Sequence, residues 1–251
     1  MHSSTTRNPP QHFVKLHNSG ERWLGLGPTM GKHNGRPAMH YTAEQLASFP
    51  WIVSTDTLRL DHLADAYLGA FDQLGQEVPE PFRSDLQQCA AYASDAMGPK
   101  PCEPWQLAVD WAFDRLGELA PTGFYFGASE GDGACFGFWL TEDWAEALEH
   151  LGLDGDDPAG WAALIAELEA DGIDPDNLED SYQGRADGWS EERAGSNYAM
   201  QLAEDLGVKL DQMEWPLTCV DWDAAWRELE MGDGYRLHDL GGGEWLVFRS
   251  C

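Results

Sequence analysis

Carboxylates are the residues of this chain whose spacing could do chemistry. Glu103, Asp110, Asp114 and Glu118 recur at steps of seven and four, and Glu142, Glu146 and Glu149 recur at steps of four and three. On a helix such steps return to one face and set carboxylates roughly 6 Å apart in rows. Like charges so placed cost a few tenths of a kcal/mol per pair, so folding alone does not select them. Asp143, Asp154, Asp156, Asp157, Glu167, Asp171, Asp174, Asp176, Glu179 and Asp180 extend the same field. From Glu118 to Asp180 there are seventeen Asp and Glu, and no Lys or Arg lies between Arg115 and Arg185.

Other chemistries fit less well. Gly127-Ala128-Ser129-Glu130-Gly131 matches the G-x-S-x-G nucleophile elbow, with His150 and His238 downstream. An elbow needs a helix directly after its serine, whereas the chain continues with strand-like residues, so Ser129 reads as a hairpin tip. Asp154, Asp156 and Asp157, or Asp171, Asp174, Asp176 and Asp180, could offer oxygen ligands to calcium. Neither stretch has the glycine and glutamate spacing of an EF-hand, so no metal and no cofactor is expected. Cys89, Cys102, Cys135, Cys219 and Cys251 contain no CxxC and read as reduced, mostly structural thiols. The helical tryptophans Trp105, Trp111, Trp144, Trp161, Trp222 and Trp226 fall at core spacings rather than at those of a base-stacking platform.

The elements that must position the carboxylates are legible from periodicity. Thr42 caps a short helix, and Trp51 to Ser54 reads as a buried strand. Leu60, Leu63, Ala64, Tyr67, Leu68 and Phe71 share a helical face, with Asp61, Asp65 and Asp72 on another. Pro81 opens a helix to about Met97, and Pro104 opens a third whose Trp105, Ala108, Trp111, Ala112 and Leu116 face inward. Aromatic runs about a Gly and Asp cluster predict a hairpin from Gly123. Helices follow at 141–151, at 158–171 between Asp157 and Gly172, at 190–206 and from Asp221, before a closing hairpin. Repeat offsets relate 61–72 to 176–187, Val109-Asp110-Trp111 to Val220-Asp221-Trp222, and Gly123 to Gly234, which predicts two tandem versions of one unit.

Charge then narrows the function. Residues 1–40 hold five basic residues against Glu21 alone, leaving a net −33 on the remainder of a 251-residue chain whose total is −29. Such a body repels nucleic acid and anionic membranes, and its natural partners are basic surfaces. Duplex DNA carries one charge per about 1.7 Å of axis, so 33 charges at that density span roughly 56 Å. A fixed anionic face of this kind could occupy a groove built for DNA. Salt adaptation is the bland alternative, but it would not leave the basic first forty residues untouched. Neither a secretory signal nor a membrane span is recognisable, and a cytoplasmic location is expected.

The end of the chain adds a resemblance. Val220, Asp221, Trp222, Ala224, Arg227, Glu228 and Leu229, followed by the closing strand through Phe248, and Asp180, Tyr182 and Gly184 before a helix, resemble the ArdA antirestriction proteins over 176–251. Trp226 stands where that family has a small residue. The resemblance implies an elongated, acidic mimic of bent B-form DNA, usually a homodimer, that occupies the DNA groove of type I restriction-modification enzymes.

The fold class is α+β, mostly helical with small antiparallel hairpins and elongated, in two related units. Residues 1–40 form a basic arm, 41–140 an N-terminal unit, 141–175 an acidic helical connector and 176–251 a C-terminal unit. The function is inhibition of a DNA-binding host-defence enzyme, a type I restriction-modification complex first, with no catalytic residue. The sixteen partner-binding residues are Asp110, Asp114, Glu118, Glu142, Asp143, Glu146, Glu149, Asp154, Asp156, Asp157, Glu167, Asp171, Asp174, Asp176, Glu179 and Asp180. Arg227 is assigned to a carboxylate that fixes the last helix. The alternatives are inhibition of a CRISPR effector or nucleoid protein, or an acidic adaptor or cation-binding protein without mimicry.

Overall fold

Aromatic hairpins organise two small sheets. The computed structural model describes residues 41–92, 102–153, 157–212, 214 and 218–249. In the first sheet β2 (Phe124–Ser129) pairs with β3 (Asp132–Leu140), from Phe124 opposite Leu140 to Ala128 opposite Phe136. Gly131 turns the hairpin at φ 86°, a left-handed conformation that costs glycine nothing. β1 (Ile52–Ser54) joins the other side of β3, giving the antiparallel order β1-β3-β2. The Trp51 to Ser54 segment is thus an edge strand rather than a buried one, with Ile52 exposed.

The second sheet repeats that arrangement. β4 (Tyr182–Asp187) and β5 (Tyr235–Gly241) flank β6 (Glu244–Arg249), in the order β4-β6-β5. In each sheet a first strand leads through helices into a hairpin whose second strand becomes central. Those helices are α2 (Leu60–Gln73), α3 (Phe82–Ala90) and α4 (Glu103–Glu118) in the first case. In the second they are α8 (Glu191–Asp205) and α9 (Trp222–Asp233). Before them stand α1 (Ala43–Ala47), and between the sheets α5 (Glu142–His150), α6 (Pro158–Ala170) and α7 (Leu178–Ser181).

The two sheets therefore share a strand order, but the residue repeat that predicted two tandem units does not fall on matching elements. Residues 61–72 are helix, whereas 176–187 are a turn, α7 and β4. Val109-Asp110-Trp111 lies within α4, whereas Val220-Asp221-Trp222 enters α9. Identical letters at identical offsets obey different periods: 61–72 carries the apolar face of a helix and 176–187 does not. Only Gly123 and Gly234 correspond, each left-handed, at φ 77° and 72°, immediately before a hairpin strand.

Capping and packing explain the helices. Thr42 accepts from the Gln45 backbone N–H while the Gln45 side chain returns to Thr42, a capping box for α1. Asp157 and Asp221 accept from the N–H groups of Gly160 and Ala224, capping α6 and α9. α2 buries Leu63, Ala64, Tyr67, Ala70 and Phe71, as its period requires. It also buries Asp61, 6% exposed, against the outward expectation: Arg59 Nε and Nη2 donate to both its oxygens at 3.1 and 2.8 Å. α3 stops at Ala90, well before the expected Met97, and residues 93–101 lie outside the described set.

Two apolar clusters meet at β6. One runs from Leu46 through α2, α4, the first sheet, α5 and α6 to Leu246 and Phe248. The other gathers Ala194, Tyr198 and Trp226 from α8 and α9 against Val247. Because successive strand residues point to opposite faces, Leu246, Val247 and Phe248, each fully buried, tie both clusters to one strand. Ala38–Cys251 accordingly forms one compact unit.

Candidate functional site

α4 shows how the first carboxylate row is held. Pro104 opens the helix, Ala108, Ala112 and Leu116 are buried, and the Trp111 ring stacks on Phe82 at 4.7 Å with the planes 7° apart. That anchoring fixes the rotation of the helix, so Glu103, Asp110, Asp114 and Glu118 all face outward and are exposed. Partial burial, and then the neighbouring Asp114, hold the Asp110 carboxyl above the usual carboxylate range. Like charge is thus crowded on this face. Glu118 is engaged by Arg115 at 2.8 Å.

α5 holds the second row. Trp144, Ala147 and Leu148 are buried, leaving Glu142, Asp143, Glu146 and Glu149 exposed. The first two lie at the positive end of the helix dipole, whereas Glu149 sits at the unfavourable end. α5 packs on α7, whose Glu179 and Asp180 are also exposed. Among the described residues, the side chains of Asp110, Asp114, Glu142, Asp143, Glu146, Glu149, Asp176, Glu179 and Asp180 take no hydrogen-bond or ion-pair partner.

Other members of the expected set serve the fold. Asp157 caps α6, and Asp174 exchanges hydrogen bonds with Asn177 at 3.0 and 3.1 Å. Glu167, in the last turn of α6, and Asp171, at its C-cap, flank the two ring nitrogens of His238 on β5. Glu167 Oε2 lies 3.3 Å from Nδ1 and Asp171 Oδ2 3.3 Å from Nε2, with the imidazole only 4% exposed. Nε2 lacks a well-directed hydrogen bond, so Asp171 contributes charge proximity rather than a directed contact. Asp154 and Asp156 lie outside the described residues. Arg227 Nε donates to the Asp223 carbonyl oxygen, fixing α9 through its backbone and not through a carboxylate.

The alternative chemistries are also located. Ser129 ends β2 with its hydroxyl donating to the Glu130 carbonyl, and a strand rather than a helix follows it. His238 is spent on Glu167 and Asp171. Burial pushes the Cys89 thiol up to about 11, with Asp61 and Cys102 adding to it, which suppresses the reactive thiolate. Among the described residues no three His, Cys, Asp or Glu side chains converge as a metal-binding set, and no helix is long and apolar enough to cross a membrane.

What the arrangement can do is present fixed negative charge from rigid helices with apolar backs. No family model matches the chain, and comparisons with curated proteins and with solved structures give no match.

Proposed function

We propose that this protein is a DNA mimic that binds a DNA-binding host-defence enzyme in place of the double helix. A type I restriction-modification complex is the first candidate, by resemblance of the chain's end to the ArdA proteins. The reading is supported above all by the rows on α4 and α5: their carboxylates face outward, all but Glu118, which Arg115 engages, lack internal partners among the described residues, and Asp110 stands close enough to feel Asp114. Folding does not account for such rows, because they cost energy. A protein that grips phosphates through Lys and Arg gains from them the same attraction without any base sequence. No side chain of this chain is catalytic in this reading.

The test is competition. A labelled duplex bound to a purified type I complex is displaced as the chain is titrated in, and cleavage stops in parallel. Excess unlabelled duplex relieves the inhibition. Displacement from a CRISPR effector or a nucleoid protein, with none from the type I complex, moves the target but keeps the mimicry. Failure to displace duplex from any of them at micromolar concentration leaves an acidic adaptor as the better account.

A further inference from the structure

α8 and α9 are held together at one place and stand open at another. The hydrogen at Gly195 lets the Trp226 ring close on α8, where a Cβ would lie 2.4 Å from Trp226 Cγ. Ser196 donates to the Asp223 carboxylate beside it. Further along α8 an open groove of about 480 Å³ separates the helices, lined by Leu202, Leu206, Trp222, Ala225 and Leu229. The lining recurs at helical steps of three and four on both sides; Leu202, Trp222, Ala225 and Leu229 are half-buried against the Tyr198 and Trp226 cluster and show their outer edges in the groove. Leu206, at the C-cap of α8, is 78% exposed and carries the apolar lining out to the surface.

The border of the groove is acidic. Glu228 and Asp233 line it, and Glu204 and Asp205 adjoin it in sequence, all four exposed. Arg249 lies 3.6 Å from Asp233, and Lys209 is the one lysine among the described residues. We propose that this groove docks an amphipathic helix of a partner protein, with apolar residues at steps of three and four and Lys or Arg on its flanks. A space between two helices fits a third helix laid against both. The acidic border favours cationic flanks and disfavours a second copy of a chain that carries −29. The choice of a basic partner rests on the mimic reading. The groove would add to it a contact that survives salt, where the carboxylate rows supply one that does not.

The probe is a fluorescent Leu and Lys peptide of about five turns, patterned for one apolar face, and its scrambled isomer, offered to the full chain at about 0.5 M salt to screen bare attraction. The patterned peptide binds at least tenfold more tightly than the scrambled one. Leu206→Glu, at an exposed position that leaves the core intact, and Ala203→Trp, which fills the groove, each weaken it about tenfold or more. Circular dichroism and melting verify that both variants fold. Glu142→Gln/Glu146→Gln/Glu149→Gln leaves the peptide affinity within about twofold while weakening competition with duplex DNA. Equal binding of the two peptides, or indifference to both groove variants, overturns the proposal. So does a dimer in sedimentation that Leu206→Glu dissociates, since a second copy would then be the occupant. Failure of the unsubstituted protein to bind the patterned peptide, with its DNA competition intact, sinks the groove alone. The converse sinks the mimic reading.

Discussion

Asp61 is an acid that faces the core of a chain whose other acids overwhelmingly face water, and Arg59, two residues earlier, is the reason. The guanidinium's hydrogen bonds hold the Asp61 carboxyl below its usual range, although burial pulls the other way. A depressed folded-state value contributes stability that is fully present above the unfolded carboxylate range, near pH ~4. That contribution is lost as pH falls through the folded value. Asp61→Asn should therefore cost on the order of 1 kcal/mol at pH 7, with Arg59 partly exposed and the pair partly screened. The difference should shrink as pH is lowered from 7 to below about 4. Urea unfolding of both proteins at the two pH values measures it, and a pH-independent difference would assign the cost to packing. Asp110 carries the opposite sign. Its carboxyl is held up, so the charged form opposes the fold, and Asp110→Asn should raise the melting temperature at neutral pH.

Between helices, contact distance decides which glycines matter. Gly69 in α2 has open space where a Cβ would go, so Gly69→Ala should stabilise by up to ~1 kcal/mol through helix propensity. Gly195→Ala gains the same propensity but drives a methyl into the Trp226 ring, and overpacking of about 1–3 kcal/mol wins. Thermal unfolding of the pair should move in opposite directions. Most elements that hold the carboxylates were legible because periodicity, prolines and caps agree: Asp157 with Pro158 and Gly172 around α6, and Trp111 with Ala112 and Leu116 behind α4. α7 and β4 were not, since 176–187 carries neither a helical nor a strand period and β4 pairs with β6, about sixty residues later. Asp61 misled for a related reason: amphipathic patterning assigns charge outward, and only a specific partner reverses it. Of the candidate site, exposure of the α4 and α5 rows could be read from spacing. Consumption of Glu167 and Asp171 by His238 could not, because it joins residues 71 and 67 apart in sequence. Glu167→Gln/Asp171→Asn should accordingly lower the melting temperature while leaving duplex competition within about twofold. The Glu142, Glu146 and Glu149 triple change should do the reverse.

For the whole molecule the attraction is a sum, which makes its signature collective. A protein that meets six to ten phosphates loses roughly a thousandfold or more in affinity between about 50 and 200 mM salt, and a mimic of those phosphates inherits the steepness. Inhibition by this chain should weaken at least tenfold over that range. Single Asp→Asn or Glu→Gln changes on the α4 and α5 faces should each cost less than about threefold, as exposed ion pairs do. Neutralising Asp110, Asp114, Glu142, Asp143, Glu146, Glu149, Glu179 and Asp180 together should abolish inhibition and flatten the salt slope. The same variant should stay folded, because it removes like-charge repulsion and no internal partner among the described residues, while the helix-dipole attraction lost at Glu142 and Asp143 is at most ~1 kcal/mol each. Inhibition titrated against salt, with melting followed in the same buffers, separates the accounts. Unfolding at low salt would mean that the charge serves halotolerance. A chain that stays folded throughout while its inhibition fades leaves the partner's cationic groove as the thing being screened.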